Sequence, residues 1–132
     1  MALVHTKSTY WSINAVDIST YCNASDFERG ADEHDVTCYG VDDHVVAGGL
    51  GNGKTTIGGL YDTAAGGPRA TIEPLIGTVV ALVHRPAGTG TGKPQDTVNV
   101  LVKNYKESAP VADYVRWSAD LTHSGAVTTA NQ

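Results

Sequence analysis

Hydrophobic positions along this chain recur mostly at every second residue, which predicts strands rather than helices. Near the C-terminus Val115, Trp117, Ala119 and Leu121 alternate with Arg116, Ser118, Asp120 and Thr122. That pattern describes a strand with one buried and one wet face. Between Thr97 and Tyr105, Val98, Val100 and Val102 mark one face, and Asn99, Leu101, Lys103 and Tyr105 the other. A short Ser108-Ala109-Pro110 turn separates the two runs and predicts an antiparallel hairpin. Val79 to His84 is a further strand, and Ser8–Ile18, Cys22–Arg29 and Thr55–Tyr61 are strand candidates. Gly58-Gly59 inside the last of these points to a bulge. One helix is expected: Pro68 stands near its first position, Gly77 stops it, and Pro74 keeps it short or kinked.

Two stretches lack periodicity and read as long loops, Gly40 to Lys54 and Arg85 to Gln95. Neither can bury itself, and long loops in compact domains are usually functional or mobile. With 132 residues and no internal repeat or linker, the chain reads as a single domain over 1–132. Fifteen glycines (about 11%, against a usual roughly 7%) cluster between the β-rich runs and fit a turn-rich β protein.

Charge narrows the function classes. The net charge is −5, with nine acids and three bases in residues 1–66 against five acids and six bases in 67–132. Seven of the fourteen acids lie between Asp26 and Asp43, the wrong sign for gripping a phosphate backbone. No leader is read from Met1-Ala2-Leu3-Val4-His5, and no stretch approaches the roughly 20 apolar residues of a membrane span. Cys22 and Cys38 are expected as reduced thiols in strand-like, buried settings, and the Asn23-Ala24-Ser25 sequon as incidental.

The candidate motifs carry little chemistry. Gly48 to Thr55 matches the phosphate-loop pattern G-x-x-x-x-G-K-[ST]. That loop needs a helix after it, and Thr56-Ile57-Gly58-Gly59 is β-branched and glycine-rich instead. Asp32-Glu33-His34-Asp35 and Asp42-Asp43-His44 offer oxygen and nitrogen ligands but match no metal-site spacing, so they are expected as solvated loop residues and no metal or other cofactor is expected. No nucleophile elbow or Cys–His arrangement occurs, so the chain is not read as an enzyme and no catalytic residue is named.

The order of several short signatures is more informative. Val16-Asp17-Ile18-Ser19-Thr20-Tyr21 precedes Arg29-Gly30-Ala31-Asp32-Glu33-His34-Asp35-Val36-Thr37-Cys38-Tyr39-Gly40. Ala47-Gly48-Gly49-Leu50-Gly51-Asn52-Gly53-Lys54, Gly58-Gly59-Leu60-Tyr61-Asp62, Leu75-Ile76-Gly77-Thr78 and Arg85 through Pro94 follow. In this order, over about residues 14–127, they resemble the major tail (tail tube) proteins of long-tailed bacteriophages, especially those of actinobacteria.

The resemblance implies a mainly β fold: a β-sandwich or half-barrel with one short flanking helix and long assembly loops. It implies a structural virion protein whose hexameric rings stack into the hollow tail tube, made and assembled in the host cytoplasm. Its partners would be itself, the tape-measure protein, and the tail terminator and tail-tip proteins, with DNA passing through unbound and no membrane contact. Acidic walls repel phosphates, so Asp26, Glu28, Asp32, Glu33 and Asp35 are candidates for lumen charge; a solvated outer face is the alternative. Candidates for assembly-loop contacts are Asp42, Asp43, His44, Val45, Val46, Leu50, Asn52, Lys54, Arg85, Pro86, Lys93 and Pro94. A capsid decoration or minor capsid protein is the alternative function.

Overall fold

The computed structural model describes residues 3–63 and 65–132. Met1 and Ala2, part of the stretch read for a leader, lie outside the described residues. Among the described residues, eight strands form one antiparallel sheet: β1 (Tyr10–Ile13), β2 (Val16–Asp17), β3 (Ala24–Asp35), β4 (Val46–Leu60), β5 (Val79–Arg85), β6 (Pro94–Ser108), β7 (Arg116–His123) and β8 (Thr128–Asn131). Their order is β2-β1-β5-β6-β7-β4-β3. β8 continues the line of β7 along the same edge of β6, through the pairs Thr97↔Thr128 to Pro94↔Asn131.

The hairpin read from alternation is present as β6–β7, joined over residues 109–115 rather than by the short Ser108-Ala109-Pro110 turn, with Val115 outside β7, and its apolar rows are the core. Val98, Val100 and Val102 from β6 and Trp117, Ala119 and Leu121 from β7 are buried together with Trp11, Ile13, Ile57 and Leu82. The sheet curls, so its two ends meet across this core: Trp11 of β1 lies 6.1 Å from Phe27 of β3, centroid to centroid. Mainly antiparallel β structure with one short helix agrees with the fold class read from sequence.

Helix α1 (Pro68–Ile72) starts on its proline and becomes a 3-10 turn over Glu73–Leu75, where Pro74 cannot donate an α-helical hydrogen bond. Gly77, at φ +84°, ends it in a conformation that side chains disfavour. Ile72 is fully buried and Leu75 packs against the core.

Several local expectations are corrected. The run 8–18 is not one strand: Asn14 and Ala15, at φ 50° and 66°, turn the chain between β1 and β2. Tyr105 is not on the polar face. A register shift between Val102 and Asn104 rotates it onto the core side, where its ring stacks on Trp117 at 6.1 Å. Gly58-Gly59 is no bulge, since β4 pairs without a shift from Lys54 to Leu60. Gly59 is needed because the backbone of Tyr21 lies where its Cβ would stand. That approach lets the Trp117 indole donate to the Tyr21 carbonyl at 3.1 Å. The strand β8 was not foreseen.

The largest correction concerns residues 40–54. Val46, Leu50, Asn52 and Lys54 are not in a loop; they belong to β4, paired with β3 from Asp35↔Val46 to Ala24↔Gly58. The acidic run 32–35 is likewise strand, not loop. The expected 85–95 loop shrinks to 86–93, because Arg85 ends β5 and Pro94 begins β6. It is also tied down. The Gln132 side chain donates to the Gly88 carbonyl at 2.9 Å, and its backbone accepts from Gly92 at 2.9 Å and donates to Lys93 at 2.8 Å.

Candidate functional site

β7 covers β4 only from Lys54 to Leu60. The remainder of the β3–β4 hairpin therefore projects as a two-stranded arm, and every residue from 28 to 52 is exposed. Among the described residues, the outer edge of β3 carries no further strand over its whole length, Ala24–Asp35. The arm also holds the charge. Between residues 30 and 53 there are five acids and no Lys or Arg, while the rest of the chain has nine acids and nine such bases. The net −5 of the protein is the charge of this arm.

β4 is unusually rich in glycine for a strand, and the partner side chains explain part of it. The His34 ring and the Asp32 Cβ occupy the space a Cβ on Gly49 would need, and the His123 ring does the same at Gly53. The pairing slips by one residue between Ala31↔Gly51 and Glu33↔Gly48, where β4 carries the extra residue. This bulge adds twist to a ribbon that no core holds flat.

Strand alternation splits the five lumen-charge candidates. Asp26, Glu28 and Asp32 share the face directed away from the core. Glu28 lies 3.9 Å from Lys54 Nζ, and Asp32 accepts from Asn52 Nδ2 at 2.8 Å. Glu33 and Asp35 share the opposite face, the one that carries Phe27 into the core. The tip is the turn after Asp35. Asp35 accepts from the Thr37 amide at 2.9 Å and stands 3.3 Å from His44 Nδ1. The Thr37 hydroxyl and amide, and then His44, hold the Asp35 carboxyl below its ordinary range.

Asp42, Asp43, His44 and Val45 lie in this turn and are exposed. Tyr39, fully exposed, and Val41 lie there too and were missed from sequence; an aromatic beside Gly40 between two strands was the available signal. Pro86 and Lys93 sit in the loop pinned by Gln132, while Arg85 stacks over the Tyr10 ring at 4.5 Å and donates to Gln95 at 2.8 Å. The structure does not bring this loop to the arm tip as one site.

The root of the arm rests on a cluster of rings. Phe27 lies 5.0 Å from both His84 and His123, and His84 stacks on Trp11 at 4.2 Å. His84 Nδ1 faces Asp96 at 3.5 Å, and His123 Nε2 shares a hydrogen bond with the buried Thr55 hydroxyl at 2.7 Å. Arg29 lies over Phe27 at 5.6 Å and donates to the Thr129 hydroxyl at 3.2 Å. Burial lowers both imidazole pKa values. Arg29 pushes His123 down further, and at His84 it adds to burial against the opposing pull of Asp96.

Among the described residues, no three His, Cys, Asp or Glu side chains converge as metal ligands. Both cysteines are free. Cys22 is half-buried, and burial, with Asp17 nearby, pushes its thiol up to about 12, away from a nucleophilic thiolate. Cys38 is not buried as expected but exposed near the arm tip. The phosphate-loop match lies along β4, where its residues pair with β3 and no helix follows.

No protein-family model and no curated protein matches the chain. Solved structures do. A chain from a structure described as the virion of a native gene transfer agent (GTA) particle superposes with a TM-score of 0.79 at 11% identity, covering 97% of this chain and 99% of that one. A chain of the SPP1 tail tube gives 0.79 at 10% identity, over 98% and 80%. A chain from the tail of an empty GTA particle, with C6 symmetry, gives 0.68 at 14% identity, over 83% and 82%. At these identities the likeness is one of fold, and it extends over nearly the whole chain: this protein has the tail-tube fold.

Proposed function

We propose that this chain, acting as one unit over residues 1–132, is the subunit of a hollow viral tail tube. Six copies would form a ring, and rings would stack into a conduit for DNA in the virion tail. The observation that carries this reading is the projecting arm on a fold shared with tail tube chains. A long free edge with exposed apolar residues at its tip is a hazard on a lone monomer, and an assembly element when a neighbour covers it. The 12-residue edge of β3 is available for such pairing. The role is structural rather than catalytic, in keeping with the raised Cys22 pKa and the solvated acidic arm. Within the tube the tape-measure protein and then DNA would occupy the lumen, and terminator and tip proteins would close its ends.

Asp26, Glu28 and Asp32 are the wall candidates on this reading, because they stand on the face that no core covers. Glu33 and Asp35, on the other face of β3, are not among them. Fixed negative charge on the wall repels phosphates, and the absence of counterion release lets DNA pass without binding.

Negative-stain microscopy of the purified protein at high concentration tests the assembly, and six-fold rings or tubes are expected. A protein that stays monomeric and binds capsids instead would be a capsid decoration protein. Changing Asp26, Glu28 and Asp32 to Lys together should impair DNA delivery more than tube assembly. Normal infectivity of those particles would remove the three from the wall.

A further inference from the structure

A notch of about 520 Å³ opens beneath the root of the arm, lined by Arg29, Gly30, Leu50, His123, Ala126 and Val127 among others. Its cation is Arg29. Phe27 and Thr129 hold the guanidinium in place, and among the described residues no carboxylate forms an ion pair with it. The positive field is felt nearby, because Arg29 depresses His123 beyond the effect of burial. Leu50, Ala126 and Val127 give the notch an apolar side.

The arm tip carries the complementary chemistry. Asp42 and Asp43 are exposed, no Lys or Arg occurs from residue 30 to 53, and Tyr39 and Val41 present apolar surface beside them. Tip and notch stand at opposite ends of one hairpin, so a chain cannot bend its own tip into its own notch without breaking the β3–β4 ladder. A second copy can supply it, and such a contact is head-to-tail and therefore propagates.

Resting on the tube reading, we propose that the notch at Arg29 is the receptor for the Asp42–Asp43 turn of a neighbouring copy. The carboxylates meet the guanidinium, and Tyr39 or Val41 lies against Leu50, Ala126 and Val127. On the receiving copy, Glu33 and Asp35 share the face of β3 that carries Arg29. Asp96 stands behind Thr129, accepting from its hydroxyl at 2.8 Å, so Arg29 is the group that must hold the incoming carboxylates.

The test uses two full-length variants, R29E and D42R/D43R. Each alone presents like charges at every contact and should raise the critical concentration for polymerisation at least about tenfold. Mixed in equal amounts they should co-assemble to near the parent level, because the acidic tip of the first fits the Arg29 notch of the second and the basic tip of the second fits the Glu notch of the first. Circular dichroism and thermal melts verify folding of each, and R29Q replaces R29E if the latter fails to fold; it should weaken assembly without reversing it.

Either variant polymerising like the parent would overturn the proposal. So would a mixture of folded variants that stays unassembled, which would assign Arg29 to some other partner. If the parent itself forms no polymer, the tube reading fails rather than this contact.

Discussion

Excising the arm separates its two structural roles most sharply. Residues 31–51 are replaced by Asn-Gly, a two-residue turn suited to closing the hairpin at Gly30↔Asn52. The removed segment contains no buried residue, so the loss of apolar burial, at about 25 cal/mol/Å², is close to nothing. Phe27, Arg29, Lys54 and Thr55, which hold the root, stay in place. Shortening the connection removes a small closure cost, about 0.6 kcal/mol for each halving of length, partly offset by imperfect turn geometry.

Stability should therefore stay within about 1–2 kcal/mol of the parent, a midpoint shift of about 1 M urea or less at an m-value near 2 kcal/mol/M. The five acids go with the segment, so the net charge of −5 falls to zero and the protein should leave an anion exchanger at far lower salt. Polymerisation should be abolished. Urea denaturation followed by tryptophan fluorescence reads the first effect, and sedimentation with microscopy the second. A loss of more than about 3 kcal/mol would show that the arm supports the core. Tubes of normal length would show that it is dispensable for assembly.

Two further outcomes probe the body of the fold. Gly59→Ala should cost about 1–3 kcal/mol by urea denaturation, because its methyl must displace the Tyr21 backbone and with it the acceptor of the Trp117 indole; a change below about 0.5 kcal/mol would refute that close approach. Acidification should destabilise the fold. His84 and His123 have lowered folded pKa values, so the unfolded chain, with histidines near the ordinary value of about 6.5, binds more protons. Their contribution is present above about pH 6.5 and is lost as pH falls through the folded values. The melting temperature should drop between about pH 7 and 5, and H84F/H123F should flatten that slope; a flat parent profile would contradict the burial of these rings.

Local signals in the sequence determined the elements that touch the core. Val98, Val100 and Val102, and Trp117, Ala119 and Leu121, alternate because one face of each strand is buried, and alternation is the trace that one-sided burial leaves. Pro68 and Gly77 bracket the helix for reasons confined to their own backbones. The resemblance to tail tube proteins rested on the order of such short signatures, and the fold agrees with it.

The arm was illegible for the same physical reason that makes it available to partners. With both faces in water, residues 28–52 need no apolar alternation, so a paired ribbon reads as a loop. Tyr105 changed faces because the irregularity between Val102 and Asn104 is defined by the β7 partner, not by β6 itself. Gly59 and Gln132 likewise answer to groups far along the chain, Tyr21 and Gly88. Composition alone determined that the protein is acidic. Only the antiparallel pairing of β3 with β4 decided that its whole net charge stands on one projecting hairpin, because that pairing carries the strands past the end of β7 and into solvent.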